Sequence, residues 1–322
     1  MMFFQKVSKL LLALVVLLLG VCCIYQIFGD SVFSPVDFCR NRFGAARQRI
    51  HSDFITQRRR YPKALIIGFP KCGTSALLSF LNIHPDVVSP SPEIFFFSDH
   101  YSKGLEWYRR QMPPSSPDQI TVEKTAGYIL KTSTLRRIYA FDPEIKLIIM
   151  LRNPVTRLLS LHAHITEKLP EPERMSFEDW LYKDHAFQQR VEYYSDYATP
   201  IEKAYNIFPK SQFLFLKEED LEADPISVIS EAQAFLGVRS VNMDDVFIFD
   251  QKKGFFCLNK THPSLPALRN KVDHSNGCLK ENKGRKHSNI SDNLLRKIVK
   301  TSKPCVERLV RVTSKKFNWD YY

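Results

Sequence analysis

From Lys63 onward the chain alternates two kinds of apolar pattern. Continuous runs at 64–69 (ALIIGF), 145–151 (IKLIIML) and 211–217 (SQFLFLK) have the length and composition of strands buried on both faces. After them come segments whose apolar residues recur every three or four positions, SALLSFLNI, VTRLLSLHAHI and PISVISEAQAFLGV, the spacing of amphipathic helices. The alternation predicts an α/β fold with a mostly parallel central sheet flanked by helices. HPDVVSPSPE and MPPSSPDQ are loops, because proline withholds a donor and biases its predecessor away from helix. From about Phe247 the chain is loop-rich, and a final helix is predicted around 293–315.

The N-terminal pattern is of another kind. Residues 10–28 are almost unbroken apolar sequence, long enough to cross a bilayer as a helix. Lys6 and Lys9 precede the run and no basic residue follows until Arg40, an asymmetry that leaves the tail in the cytosol and carries the rest across the membrane. The expected organisation is a cytoplasmic tail at 1–9, a transmembrane signal anchor at 10–28, a polar lumenal stem at 29–61 and one large domain at 62–322. A cleaved signal peptide is the competing reading, but the run exceeds a usual signal core and no small-x-small site follows it.

Lumenal placement changes how the remaining composition is read. Asn259 and Asn289 head N-x-Thr/Ser sequons, which have meaning only in the secretory pathway. Five of the seven cysteines lie beyond the anchor, an odd number that cannot all pair within one chain. Cys257 and Cys278 flank a polar excursion and form the candidate disulfide, with a free or differently paired thiol as the alternative. The net charge of +12 suits a polyanionic partner. In a lumen that partner is a sulfated or carboxylated glycan rather than nucleic acid.

The stretch IIGFPKCGTSALL carries the clearest chemistry. A strand that turns sharply into a helix offers unpaired N–H groups and the positive end of the helix dipole to an anion. Gly68 and Gly73 let the backbone approach closely, Lys71 adds a charge, and Thr74 and Ser75 add hydroxyls. The lysine precedes the last glycine, so the nucleotide-triphosphatase pattern fails. The run IIML is followed by Arg152 rather than by a carboxylate, and no bound metal is expected.

Lys-x-Gly-Thr after a strand resembles the 5′-phosphosulfate loop of sulfotransferases. PEIFFFSDHYSKGLEWY, TVEKTAGY, LRNPVTRLLS, KKGFFCL and CLKENKGRKH extend the resemblance, in family order, to the Golgi heparan sulfate glucosaminyl 3-O-sulfotransferases. It covers nearly all of the chain after about residue 62. The resemblance implies 3′-phosphoadenosine 5′-phosphosulfate as co-substrate, heparan sulfate or a related sulfated glycan as acceptor, and a single-pass type II Golgi membrane protein. It implies that Lys71, Cys72, Gly73, Thr74 and Ser75 hold the 5′-phosphosulfate, with Lys71 offsetting charge on the bridging oxygen. Arg152 and Ser160 match the pair for the 3′-phosphate, and Lys283, Gly284, Arg285, Lys286 and His287 match a loop that closes over the nucleotide. Glu93 matches the catalytic glutamate that takes the proton of the sugar hydroxyl, and Lys124 a lysine near the transferring sulfuryl group.

Some positions depart from that pattern. Pro70 and Cys72 flank the loop lysine where the group places Arg and Gly, while Phe95 and Ser98 replace a histidine and an acidic residue that face the saccharide. Alternatives therefore stand beside the 3-O reading: an N- or 6-O-sulfotransferase, a non-catalytic basic glycan-binding membrane protein, and a small-phenol sulfotransferase.

Overall fold

The computed structural model describes residues 57–243, 245–251, 255–259, 261, 278 and 289–322. The proposed anchor at 10–28, the cytoplasmic tail and nearly all of the stem lie outside them. Among the described residues no helix is long and apolar enough to cross a membrane.

Strands β1 (Arg58–Arg59), β2 (Ala64–Ile66), β3 (Val87–Val88), β4 (Pro114–Ser115), β5 (Ile120–Lys124), β6 (Lys146–Leu151) and β7 (Phe213–Lys217) precede a hairpin of β8 (Phe247–Asp250) and β9 (Phe255–Leu258). Five of them make the central sheet in the order β3-β5-β2-β6-β7, every neighbouring pair parallel. Its central residues are fully buried, from Ala64 to Ile67 and from Leu147 to Leu151, as the continuous apolar runs require. At the end of β2 the backbone passes so close to β6 that a Cβ on Gly68 would lie 2.8 Å from the Met150 nitrogen.

The helices are α1 (Thr74–Leu81), α2 (Gly104–Gln111), α3 (Thr132–Phe141), α4 (Pro154–Thr166), α5 (Phe177–Tyr182), α6 (Phe187–Ser195), α7 (Ala198–Tyr205), α8 (Glu218–Ala223), α9 (Pro225–Leu236) and α10 (Asp292–Thr313). A large core surrounds the sheet. A smaller one gathers Val155, Leu158, Phe177, Leu181, Val191 and Ile298 from α4, α5, α6 and α10. The final helix falls where its periodicity predicts it, started by Ser291 accepting from the Leu294 amide.

Three strand–helix units read from the sequence are present: β2 with α1, β6 with α4, and β7 with α9 beyond the short α8. The strand β5 was not predicted, because ITVEK is short and alternates polar with apolar residues. Among the described residues, Arg58 and Arg59 pair with Ser115 and Pro114, and Tyr61 packs edge-on to Phe141 at 5.4 Å, so residues just before 62 pack with the domain.

Candidate active site

Lys124, Arg152 and Glu218 stand at the carboxyl ends of β5, β6 and β7, on the edge of the sheet where β2 delivers the anion loop. The connection after β2 runs to β3 at one edge of the sheet and the connection after β6 runs to β7 at the other, which opens between β2 and β6 the crevice in which parallel α/β sheets bind ligands. The loop turns through two left-handed residues, Lys71 with φ 71° and Gly73 with φ 74°. Glycine at 73 is required twice over, by its φ and because a Cβ would meet Glu218 Cγ at 2.8 Å. The first bonds of α1 run from the Ala76 and Leu77 amides to the Gly73 carbonyl, so the amides of Thr74 and Ser75 have no acceptor within the helix.

Beneath the loop lies a buried support. Arg157 is 5% exposed, donates to the Pro70 carbonyl at 3.2 Å and to the Tyr194 carbonyl, and lies over the rings of Phe69 and Tyr197. The Cys72 side chain belongs to this floor: it is fully buried, 3.8 Å from the Tyr197 hydroxyl, and burial pushes the thiol up to about 11. The expectation that Cys72 contacts a ligand is therefore restricted to its backbone. Tyr197 in turn donates to the Arg152 carbonyl at 2.7 Å.

One cavity of about 610 Å³ is lined by Lys71, Gly73, Thr74, Ser75, Glu93, Lys124, Arg152 and Ser160. Lys71 and Arg152 thus open into the same space, and Arg152 Nη1 donates to the Lys71 carbonyl at 3.3 Å. Asn153 starts α4 by accepting from the Val155 amide, with Pro154 in its first turn, which fixes the helix directly after Arg152. Thr156, Ser160 and His164 then follow at intervals of four and share the face that lines the cavity. Only Ser160 of these three was expected; the four-residue spacing is the signal that points to the other two.

Glu93 comes from the proline-rich loop between β3 and α2. Its Oε1 accepts from Lys124 Nζ at 2.8 Å and from the Ala126 amide at 2.9 Å, and Oε2 has no hydrogen-bond partner among the described residues. The same Lys124 Nζ donates to Ser75 Oγ at 3.0 Å. One ammonium therefore joins the carboxylate to the anion loop. The aromatic run explains how the loop is fixed: Phe96 and Phe97 are buried, Phe96 stacking on Tyr108 at 4.3 Å, while Phe95 at φ 54° is exposed.

Glu123, beside Lys124, does not pair with it as an ordinary salt bridge. It points into the core, accepting from Thr125 at 2.5 Å and Tyr108 at 3.3 Å. Burial pushes its carboxyl up to about 7. Thr125 accepts from the Phe95 amide at 3.3 Å, so Glu123 supports the segment carrying Glu93.

The sequence reading missed a carboxylate at a strand end. Glu218 follows β7, lines the cavity and forms an ion pair with Arg152 that lacks the alignment of a hydrogen bond. Burial pushes it up to about 8 against the opposing charge of Arg152, with Glu222 and Glu219 adding to the rise. Glu222, also on the cavity wall, is raised chiefly by burial.

Lys283, Gly284, Arg285, Lys286 and His287 lie outside the described residues. Cys257 and Cys278 are joined by a disulfide, 21 residues apart. Asn259 is half-buried, donating to the Asp245 carbonyl and accepting from Thr261, whereas Asn289 is exposed.

Residues 61–311 match the family described as sulfotransferase domain. The chain is 38% identical over 266 residues to heparan sulfate glucosamine 3-O-sulfotransferase 6 of Homo sapiens, covering 81% of this chain and 75% of the relative. It is 34% identical to the protein of that name from Mus musculus, covering 96% and 91%. A solved sulfotransferase from Alicyclobacillus acidocaldarius shares the fold, with a TM-score of 0.58 at 22% identity, covering 80% of this chain and 98% of that one. By family match and by identity over most of its length, the chain belongs to the sulfotransferase domain family, in the group of the heparan sulfate glucosamine 3-O-sulfotransferases.

Proposed function

We propose that this protein is an enzyme that moves a sulfuryl group from 3′-phosphoadenosine 5′-phosphosulfate to the 3-hydroxyl of glucosamine units in heparan sulfate. The observation that carries this reading is Lys124 Nζ standing between Glu93 Oε1 and Ser75 Oγ, which sets a proton acceptor beside an anion loop in one cavity. The cavity fits such a donor. A phosphosulfate end suits Lys71 and the amides of 73–75, and a phosphate at the far end suits Arg152 with Ser160. When bound, the donor supplies a sulfuryl group on a phosphate leaving group.

The chain's own residues then divide the work. Glu93 accepts the proton of the sugar hydroxyl through Oε2, the oxygen not engaged by Lys124 and Ala126. Lys124 holds that carboxylate in place and steadies charge beside Ser75. Lys71 lies where negative charge gathers on the leaving oxygen. Arg152 and Ser160 fix the nucleotide by the end that does not react, which holds the reacting end in line.

The placement that goes with this reading is a type II protein of the Golgi membrane, anchored by residues 10–28 with the catalytic domain in the lumen. Lys6 and Lys9 before the apolar run, the two sequons and the Cys257–Cys278 disulfide support it. The test is incubation of residues 29–322 with labelled donor and heparan sulfate, followed by disaccharide analysis. Label on the 3-hydroxyl of glucosamine is the expected result. Label only on nitrogen or the 6-hydroxyl, or none on any glycan, would refute the assignment.

A further inference from the structure

We infer that Glu218 competes with the nucleotide's 3′-phosphate for Arg152, so that binding of the donor is coupled to uptake of a proton by this carboxyl group. The inference rests on the donor reading above and deepens it. Its basis is the position of the side chain. Glu218 lies against Gly73, where only the absence of a Cβ leaves it room, and forms an ion pair with Arg152, the cation assigned to the far phosphate. Both partners line the cavity and are nearly buried, with side chains 12% and 13% exposed, so solvent screens little of the contact.

The electrostatic consequence has a definite sign. An ionised carboxylate on the wall of a phosphate site repels the ligand and occupies its guanidinium. A protonated one does neither and becomes a hydrogen-bond donor. The charged and titratable groups facing Glu218 are Arg152 beyond β6, Lys71 and Cys72 of the loop, and Glu219 and Glu222 on its own helix. Glu219 is engaged elsewhere, accepting from the Asn153 amide at 2.7 Å and from the Trp319 indole at 3.0 Å. With its carboxyl pushed up to about 8 by burial, Glu218 goes from neutral to ionised, and so into its full ion pair with Arg152, as pH rises from 7 to 9. A phosphate dianion beside it raises its proton affinity further. Nucleotide binding therefore takes up a proton above about pH 8, and affinity falls as pH rises.

The test is calorimetric titration of residues 29–322 with 3′-phosphoadenosine 5′-phosphate at pH 7, 8 and 9. That range lies above the second phosphate ionisation, near pH 6, which keeps the ligand's charge constant. The wild-type Kd should weaken about tenfold from pH 7 to 9, with roughly half a proton taken up per nucleotide at pH 8 when buffers of different ionisation heat are compared. Glu218→Gln should show less than a twofold change and no such uptake, and Glu218→Ala should behave likewise. Melting curves at each pH verify that all three proteins are folded. Equal pH profiles in wild type and both variants would overturn the role of Glu218 while leaving the donor reading standing. Absence of nucleotide binding in every protein at every pH would overturn the donor reading and this inference with it.

Discussion

Gly68→Ala probes how the anion loop is seated on the sheet. The added methyl would lie 2.8 Å from the Met150 nitrogen and 3.1 Å from its carbonyl oxygen, both backbone atoms of a central strand. Ordinary contact requires the end of β2 to retreat from β6 by roughly 0.6 Å, and neither neighbour is the flexible end of a side chain. Overpacking of this kind costs about 1–3 kcal/mol, and a central value of about 2 kcal/mol lowers Tm by roughly 4–8 °C in a domain of this size. The effect reaches the ligand, because the Gly68 carbonyl accepts from the Gly127 amide at 2.7 Å and so ties the anion loop to the segment after Lys124. Differential scanning calorimetry with and without 3′-phosphoadenosine 5′-phosphate is the assay. The expected result is a lower Tm together with a smaller ligand-induced rise. A variant melting within 1 °C of wild type, with unchanged nucleotide affinity, would refute the account of how the loop is held.

Other outcomes can be checked separately. Glu93→Gln should abolish sulfuryl transfer with nucleotide affinity nearly unchanged in calorimetry, whereas Arg152→Ala should weaken nucleotide binding by about 10- to 100-fold, the loss of a charge-assisted bond. Equal losses of affinity would contradict that division. Glu123 has a folded pKa above its unfolded value, so the native state holds its proton more tightly and stability falls as pH rises from about 4.5 to 7. Urea denaturation should find Glu123→Gln gaining on wild type by about 3 kcal/mol across that window and by no more above it. Reduction of Cys257–Cys278 should lower stability by roughly 3 kcal/mol, read as a drop in Tm with a phosphine reductant.

The parts of the fold legible in the sequence are those whose apolar pattern is strong. β2, β6 and β7 read as buried strands because almost every residue is apolar, and α10 reads as a helix from its periodicity. β5 is as central as they are, yet its five residues include Glu123 and Lys124, which serve support and chemistry rather than the pattern. The anion loop itself brought Lys71 forward, the family resemblance added Glu93, Lys124, Arg152 and Ser160, and the fold gathers all five into one cavity. Neither signal could reveal Glu218, because KEED after a strand reads as a solvated helix start. Only the parallel order of β2, β6 and β7 carries that carboxylate to Arg152. Cys72 shows the converse: its neighbours in sequence line the cavity, but the left-handed residues on either side turn its thiol into the floor.

Lys124 sets a boundary on how this protein can change. Its single nitrogen reaches both Glu93 and Ser75, so any drift that resculpts the base-bearing segment tugs on the loop assigned to the donor. Phe95 and Ser98 lie on the outer side of that segment, where Phe95 is exposed and the Ser98 hydroxyl donates to the Phe95 carbonyl of its own loop. On the proposed function, changes of sugar preference would thereby be channelled into a few side chains at the rim, leaving the contacts of Lys124 undisturbed.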